Sequence, residues 1–163
     1  MAAMSNPSLK RLQIRAARAQ DLPDLLTLEA RAFESGGLSR RSFRRFLTGS
    51  SSTLVVATHD KVFAGYALVL FRPRCSIARL YSLAVCEHAA GNGIGRALLS
   101  AAESAARKRR CKVIRFAAAV KQPAIAARCR KFGFVELTAL RAGDKSAMLQ
   151  FEKPLYVLSG GEA

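Results

Sequence analysis

The chain has 163 residues, half of them apolar, so a single domain with a sizeable core is the economical expectation. Its 27 Lys and Arg against 11 Asp and Glu leave a formal charge of +16, a field that attracts polyanions, RNA among them. The four cysteines lie at least 11 residues apart, the N-terminus carries no apolar leader, and the longest uncharged run, residues 62–71, is half a membrane span; a reduced, cytoplasmic protein without a zinc knuckle or membrane contact is expected.

Residues 1–9 read as a loose tail, residues 10–156 as one domain and residues 157–163 as a second tail. Residues 12–16 alternate as a first strand. Asp21 then caps a helix that has Pro23 in its first turn, Asp24 at the third helical position, and Leu22, Leu25, Leu26, Ala30 and Phe33 on its buried face. Residues 34–39 break that helix. Ser39 caps a second one, with Phe43, Phe46 and Leu47 on one side and Arg40, Arg41, Arg44 and Arg45 on a solvated other side. No aromatic residue interleaves these arginines for base stacking. Residues 53–58 and 62–71 predict two antiparallel strands joined tightly at His59-Asp60-Lys61, and residues 77–85 a further buried strand in which Tyr81 packs.

Glu87 and His88, expected in solvent, lead to Gly91, Gly93 and Gly95. Glycines at alternate positions let successive N–H groups turn toward one point, which makes an anion cradle. A helix starts there, with Ile94, Ala97, Leu98, Ala101, Ala102 and Ala105 as one apolar stripe and Glu103 four residues before Arg107 as a supporting pair. Its first-turn N–H groups and dipole suit a pyrophosphate. A dinucleotide fingerprint is excluded, because Arg96 or Leu98 stands where a third small residue belongs; a Walker loop lacks its Gly-Lys-Ser/Thr. The basic run Arg107-Lys108-Arg109-Arg110 suits a helix C-terminus. Residues 113–118 then form a strand, Pro123 opens a helix that Gly133 closes, and residues 135–140 with 147–151 finish as a hairpin.

The order of elements, the run Arg79-Leu80-Tyr81-Ser82-Leu83-Ala84-Val85, the loop Gly91-Asn92-Gly93-Ile94-Gly95-Arg96 and a later Lys131-Phe132-Gly133-Phe134 together resemble the GNAT acyltransferases. Within that family the chain is most similar to the ribosomal-protein alanine N-acetyltransferase branch. The resemblance implies an α/β (α+β) fold, a mixed central sheet of about seven strands flanked by about four helices. It also implies acetyl-CoA as acyl donor. Leu83, Ala84 and Val85 would offer backbone groups to the pantetheine arm, and Gly91, Asn92, Gly93, Ile94, Gly95 and Arg96 would surround the pyrophosphate. Ala90 stands where the family usually has Gln or Arg, and Gln122 where it commonly has Asn, keeping an amide within reach of the cofactor.

Acyl transfer to an amine needs the ammonium deprotonated, the thioester carbonyl polarised and the leaving thiolate protonated. Ala117 occupies the position of the branch's glutamate, Ala119 that of a neighbouring arginine, and Cys129 that of its tyrosine acid. Cys129 is the candidate catalytic residue, with a buried structural thiol as the plainer reading. Glu29 and Glu34 lie near the expected acceptor site and are candidates for binding a cationic amine; otherwise they are the wet face of the first helix. Two function classes follow. One is an N-acetyltransferase acting on a primary amine by direct transfer in a ternary complex, the amine being a protein N-terminus, a lysine or a small molecule. The alternative is a non-catalytic acyl-CoA-binding or RNA-associated basic module. Weak, non-specific nucleic-acid contact is expected in either case.

Overall fold

A computed structural model describes residues 11–33, 37–119, 123–137 and 148–155. In chain order the elements are β1 (Leu12–Ala16), α1 (Leu22–Ala32), α2 (Arg40–Thr48), β2 (Ser52–His59), β3 (Val62–Leu70), β4 (Ile77–Val85), α3 (Ile94–Lys108), β5 (Val113–Ala119), α4 (Pro123–Lys131), β6 (Val135–Glu136) and β7 (Met148–Pro154). Among the described residues one seven-stranded sheet runs β1-β2-β3-β4-β5-β7-β6, and only the β4–β5 pair is parallel. The seven strands and four helices of the described residues match the expected α/β architecture.

Two apolar layers sandwich the sheet. Leu22, Leu25 and Leu28 of α1 and Phe43 of α2 cover one face with Leu54, Val56, Tyr66 and Leu68. Ile94, Leu98, Leu99, Ala102 and Ala106 of α3 cover the other, together with Ala126 and Cys129 of α4. Helix faces turn by about one position from those expected. In α1 the buried set is Leu22, Leu25, Leu28 and Glu29, while Ala30 and Phe33 are exposed. In α3, Leu99 and Ala106 go inside with Glu103, whose carboxylate meets Lys153 of β7 at 2.6 Å and Arg107 only at 3.9 Å. In α3 the inward carboxylate finds its partner on another element, which periodicity within one helix does not report.

Several local signals act as read. Ser39 Oγ accepts from the Ser42 N–H at 3.1 Å. The β2–β3 turn has Asp60 and Lys61 at φ 52° and 66°, the two left-handed residues of a two-residue hairpin. Gly133, at φ 91°, ends α4, where Phe134 N–H bonds Cys129 O and Gly133 N–H bonds Arg130 O. Asp21 differs. It makes no side-chain cap on α1; its carboxylate takes both Arg15 Nη atoms at 2.7 and 2.8 Å and the Arg18 N–H at 2.7 Å. The Arg15 bond holds this carboxyl below its usual range and ties β1 to α1. β7 extends to Pro154, farther than expected, because β5 pairs with it as far as Val113–Pro154.

Candidate functional site

Near the middle of the sheet, β4 and β5 part. They pair only at Ile77–Val113, Ala78–Ile114 and Arg79–Arg115, although β4 continues to Val85 and β5 to Ala119. β4 meanwhile stays on β3 as far as Val85, opposite Gly65. Residues 80–85 therefore present one unpaired edge to a V-shaped notch. A β-bulge lies where the divergence begins: Leu68 opposes Ser82 and Val69 opposes Leu80, so Tyr81 is an extra residue that bends the strand. The bulge also reverses the strand's alternation, placing Ala78 and Leu80 against α3 but Ala84 against the α1–α2 layer. Tyr81, expected to pack, is 42% exposed, with the Arg79 guanidinium 5.4 Å from its ring centre.

The main-chain direction along this edge follows from two contacts. Cys86 N–H donates to Ala64 O at 2.8 Å, and Ala84 O faces Gly65, where an added Cβ would stand 2.6 Å from it. Ala84 is therefore bonded toward β3, and by alternation the N–H and C=O of Leu83 and Val85 turn into the notch. That edge can accept an extended chain as an added strand and aim an N–H at a carbonyl carried on it.

The glycine loop stands at the notch's mouth. Gly91 and Gly93 have φ of 85° and 73°, and an added Cβ at either meets nothing within 4 Å, so space for a ligand lies against bare backbone. Gly95 is already helical, and a Cβ added there would stand 3.7 Å from Val85 Cγ2. The first α3 bond runs from Ala97 N–H to Gly93 O, leaving the N–H groups of Ile94, Gly95 and Arg96 without helical acceptors. No acidic residue in the first turn blunts the dipole. Asn92 Nδ2 braces the loop on Ala89 O at 3.1 Å, Ile94 is buried as the anchor, and Arg96 is exposed. These residues fit a diphosphate.

Glu29 is not a wet-face residue. It is 4% exposed, its Oε1 accepts the Leu38 N–H at 2.9 Å, and its Oε2 accepts the Tyr66 hydroxyl. Tyr66 has one hydroxyl proton and gives it to Glu29, so Ser82 Oγ, 2.7 Å away, donates to Tyr66. Burial, and next the Glu29 bond, push the Tyr66 phenol far above its ordinary value. Gly37 lets the α1–α2 connection close here, since an added Cβ would collide with the Glu29 side chain. As an amine ligand, Glu29 would first have to release Leu38 or Tyr66. Sequence reasoning missed Tyr66, Ser82 and Gly65; the available signals were polar residues and a glycine inside apolar strands.

Cys129 sits 8% exposed in the apolar layer with Ile114, Phe134 and Phe151, and burial pushes its thiol up. Ala117 is half-buried on β5. Glu87 and His88 are exposed, as expected. Glu34 and Gln122 lie outside the described residues. Among the described residues, no helix is long and apolar enough to cross a membrane.

Comparison with known proteins gives a consistent picture. The sequence profile described as "Acetyltransferase (GNAT) family" matches residues 20–134. No curated protein matches the sequence. Among solved structures, the ribosomal-protein-alanine N-acetyltransferase of Brucella melitensis is 28% identical with a TM-score of 0.74, covering 88% of this chain and 99% of that one. The ribosomal-protein-S18-alanine N-acetyltransferase of Escherichia coli is 20% identical with a TM-score of 0.75, covering 93% and 99%. A putative acetyltransferase of Salmonella typhimurium, solved with its cofactor acetyl-CoA, is 18% identical with a TM-score of 0.71, covering 94% and 99%.

Proposed function

The chain belongs to the acetyltransferase (GNAT) family, and on that premise we propose that it moves the acetyl group of acetyl-CoA directly onto a primary amine within a ternary complex. The observation that carries this reading is the parting of β4 from β5 after three residue pairs, with the bare glycine loop at its mouth. The N–H groups of residues 91–96 hold the pyrophosphate, assisted by Arg96 and, from outside the described residues, by Gln122. The notch-facing groups of Leu83 and Val85 hold the pantetheine arm and polarise the thioester carbonyl, and Ala84 fixes that edge by bonding β3. The amine nitrogen forms the new N–C bond, the C–S bond breaks, and the amine's proton and the thiolate leave to solvent.

The acceptor class follows from what stands at position 117. With Ala117 in place of a carboxylate, deprotonation falls to the amine's own equilibrium. At pH 7.5 roughly a third of a free α-amine is neutral, against roughly one in a thousand lysine side chains. A protein N-terminus is therefore the preferred acceptor, ahead of lysine or a small polyamine. Glu29 acts as a positioning residue: it ties Leu38 and Tyr66 together and shapes the acceptor wall, while Glu34, outside the described residues, is the group for a cationic amine. Cys129 packs. The excess positive charge also draws nucleic acid weakly and in a salt-sensitive way.

A second reading, a non-catalytic acyl-CoA-binding or RNA-associated module, is favoured by Ala117 and Cys129. Thiol release from acetyl-CoA with three acceptors decides: an alanine-initiated peptide, an Nα-blocked lysine peptide and spermidine. The expected order puts the α-amine first, with kcat/KM rising with pH along the acceptor's own titration. Calorimetric binding of acetyl-CoA without release for any amine would establish the module.

A further inference from the structure

At the end of the sheet remote from the glycine loop, the β3–β4 and α3–β5 connections and Ser50-Ser51 enclose a cleft of ≈ 620 Å³. Four arginines line it, Arg72, Arg74, Arg109 and Arg110, and no acidic residue does. Arg109 is committed to structure: its guanidinium lies 4.3 Å from the Phe71 ring centre and donates to Ser50 O. Arg72, Arg74 and Arg110 are exposed and make no ion pair or side-chain hydrogen bond among the described residues.

The backbone marks two of these three. Arg74 and Arg110 have φ of 58° and 60°, left-handed conformations in which glycine is relaxed and a side chain is strained. Arg110 occupies the position after α3 where glycine is the usual terminator, with Cys111 N–H bonding back to Ala106 O. The chain thus keeps guanidinium groups at two places where its own folding favours none, and strain held in this way clusters at functional sites.

We infer that this cleft is a second anion site, one that grips the phosphodiester backbone of nucleic acid. Guanidinium forks match phosphate oxygens bidentately, and the Ser50, Ser51 and Ser76 hydroxyls add donors. The charge continues past the cleft through exposed Arg107, Lys108 and Lys112, which calls for a polyanion rather than a lone phosphate. Phe71, the one aromatic lining residue, is covered by Arg109, so bases have no stacking platform and sequence is not read. The acetyl donor does not occupy this site: α3, ~22 Å long, separates the cleft from the glycine loop at its other end. The inference stands independently of the acetyl-transfer reading.

Arg74→Gly/Arg110→Gly tests it in the whole protein, because glycine at both positions relieves strain and keeps the fold. Anisotropy titrations use a fluorescent 20-nucleotide single-stranded RNA of mixed sequence, with Arg40→Ala/Arg44→Ala on the solvated face of α2 as control. The cleft variant is expected to keep or raise Tm, to keep acetyl-CoA affinity, to lose tenfold or more in RNA affinity at low salt, and to lower the salt slope by about 1.4. The α2 control loses less than threefold, and a polyglutamate peptide or anionic phospholipid vesicles bind far more weakly than the RNA. RNA should also slow alkylation of Cys75, which lines the cleft. Equal RNA affinity for wild type and cleft variant, an equal loss in the α2 control, or equal binding of polyglutamate or vesicles would overturn the inference.

Discussion

The two ends of α3 present features suited to anions by opposite means. At its N-terminus the side chains have been removed: Gly91 and Gly93 curve the chain through left-handed conformations without strain, and main-chain N–H groups face open space. At its C-terminus the backbone conformations are similar, but Arg74 and Arg110 adopt them under strain and supply charge from side chains. A main-chain cradle is short, fixed and suited to one diphosphate; a guanidinium cleft is broader and responds to total charge. Left-handed backbone alone does not identify a ligand, since Asp60 and Lys61 adopt it in a plain hairpin turn.

The largest break in this comparison comes from the strand beneath the cradle. An added Cβ at Gly65 would stand 2.6 Å from Ala84 O and 3.1 Å from Leu98 Cδ1. Since backbone must move to admit it, Gly65→Val is expected to cost about 2–4 kcal/mol of stability. It should lower acetyl transfer by a hundredfold or more by displacing the edge at Leu83 and Val85, while RNA affinity in the remaining folded protein is unchanged. Thermal denaturation and thiol-release rates on the same sample check both halves.

Gly93→Val sharpens the comparison with a smaller effect. Nothing in the protein meets the new Cβ, so the fold survives with a backbone cost of about 1–3 kcal/mol, and the side chain fills ligand space. Acetyl-CoA affinity by calorimetry should fall tenfold or more, with RNA affinity again intact. Equal acetyl-CoA affinity would remove the cradle from the mechanism.

The smallest effect is expected at Cys129. As a packed thiol, Cys129→Ala should reduce turnover less than tenfold, well short of the ~10²–10⁴ of a lost general acid. Burial raises its folded pKa, so native protein keeps the proton while unfolded chain releases it from about pH 8.5 upward. Its contribution to stability is therefore complete below about pH 8.5 and is lost as pH rises through the folded value. Between about pH 8 and 10.5, the Tm of Cys129→Ala should fall less steeply than that of wild type. Part of the slope persists, because burial raises Cys86 and Cys111 as well. A turnover loss of a hundredfold, partly restored by Cys129→Ser, would instead make Cys129 the acid.

The order of elements, the Ser39 cap, the glycine loop and the Gly133 stop were legible in the sequence because each is a local matter of period, cap chemistry or φ within a few residues. Tertiary structure alone decided what depends on two segments meeting. The bulge at Tyr81 is a count of residues between β3 and β4, and neither strand contains it by itself. Glu29 looked like a helix's wet face until Tyr66 and Leu38, 37 and 9 residues away, supplied its hydrogen bonds. The four arginines of the cleft read as scattered charge along the chain and come together only where two connections meet at one end of the sheet. Periodicity reports how a segment presents itself; long-range pairing sets what it is presented to, and burial of a polar group is decided by that partner.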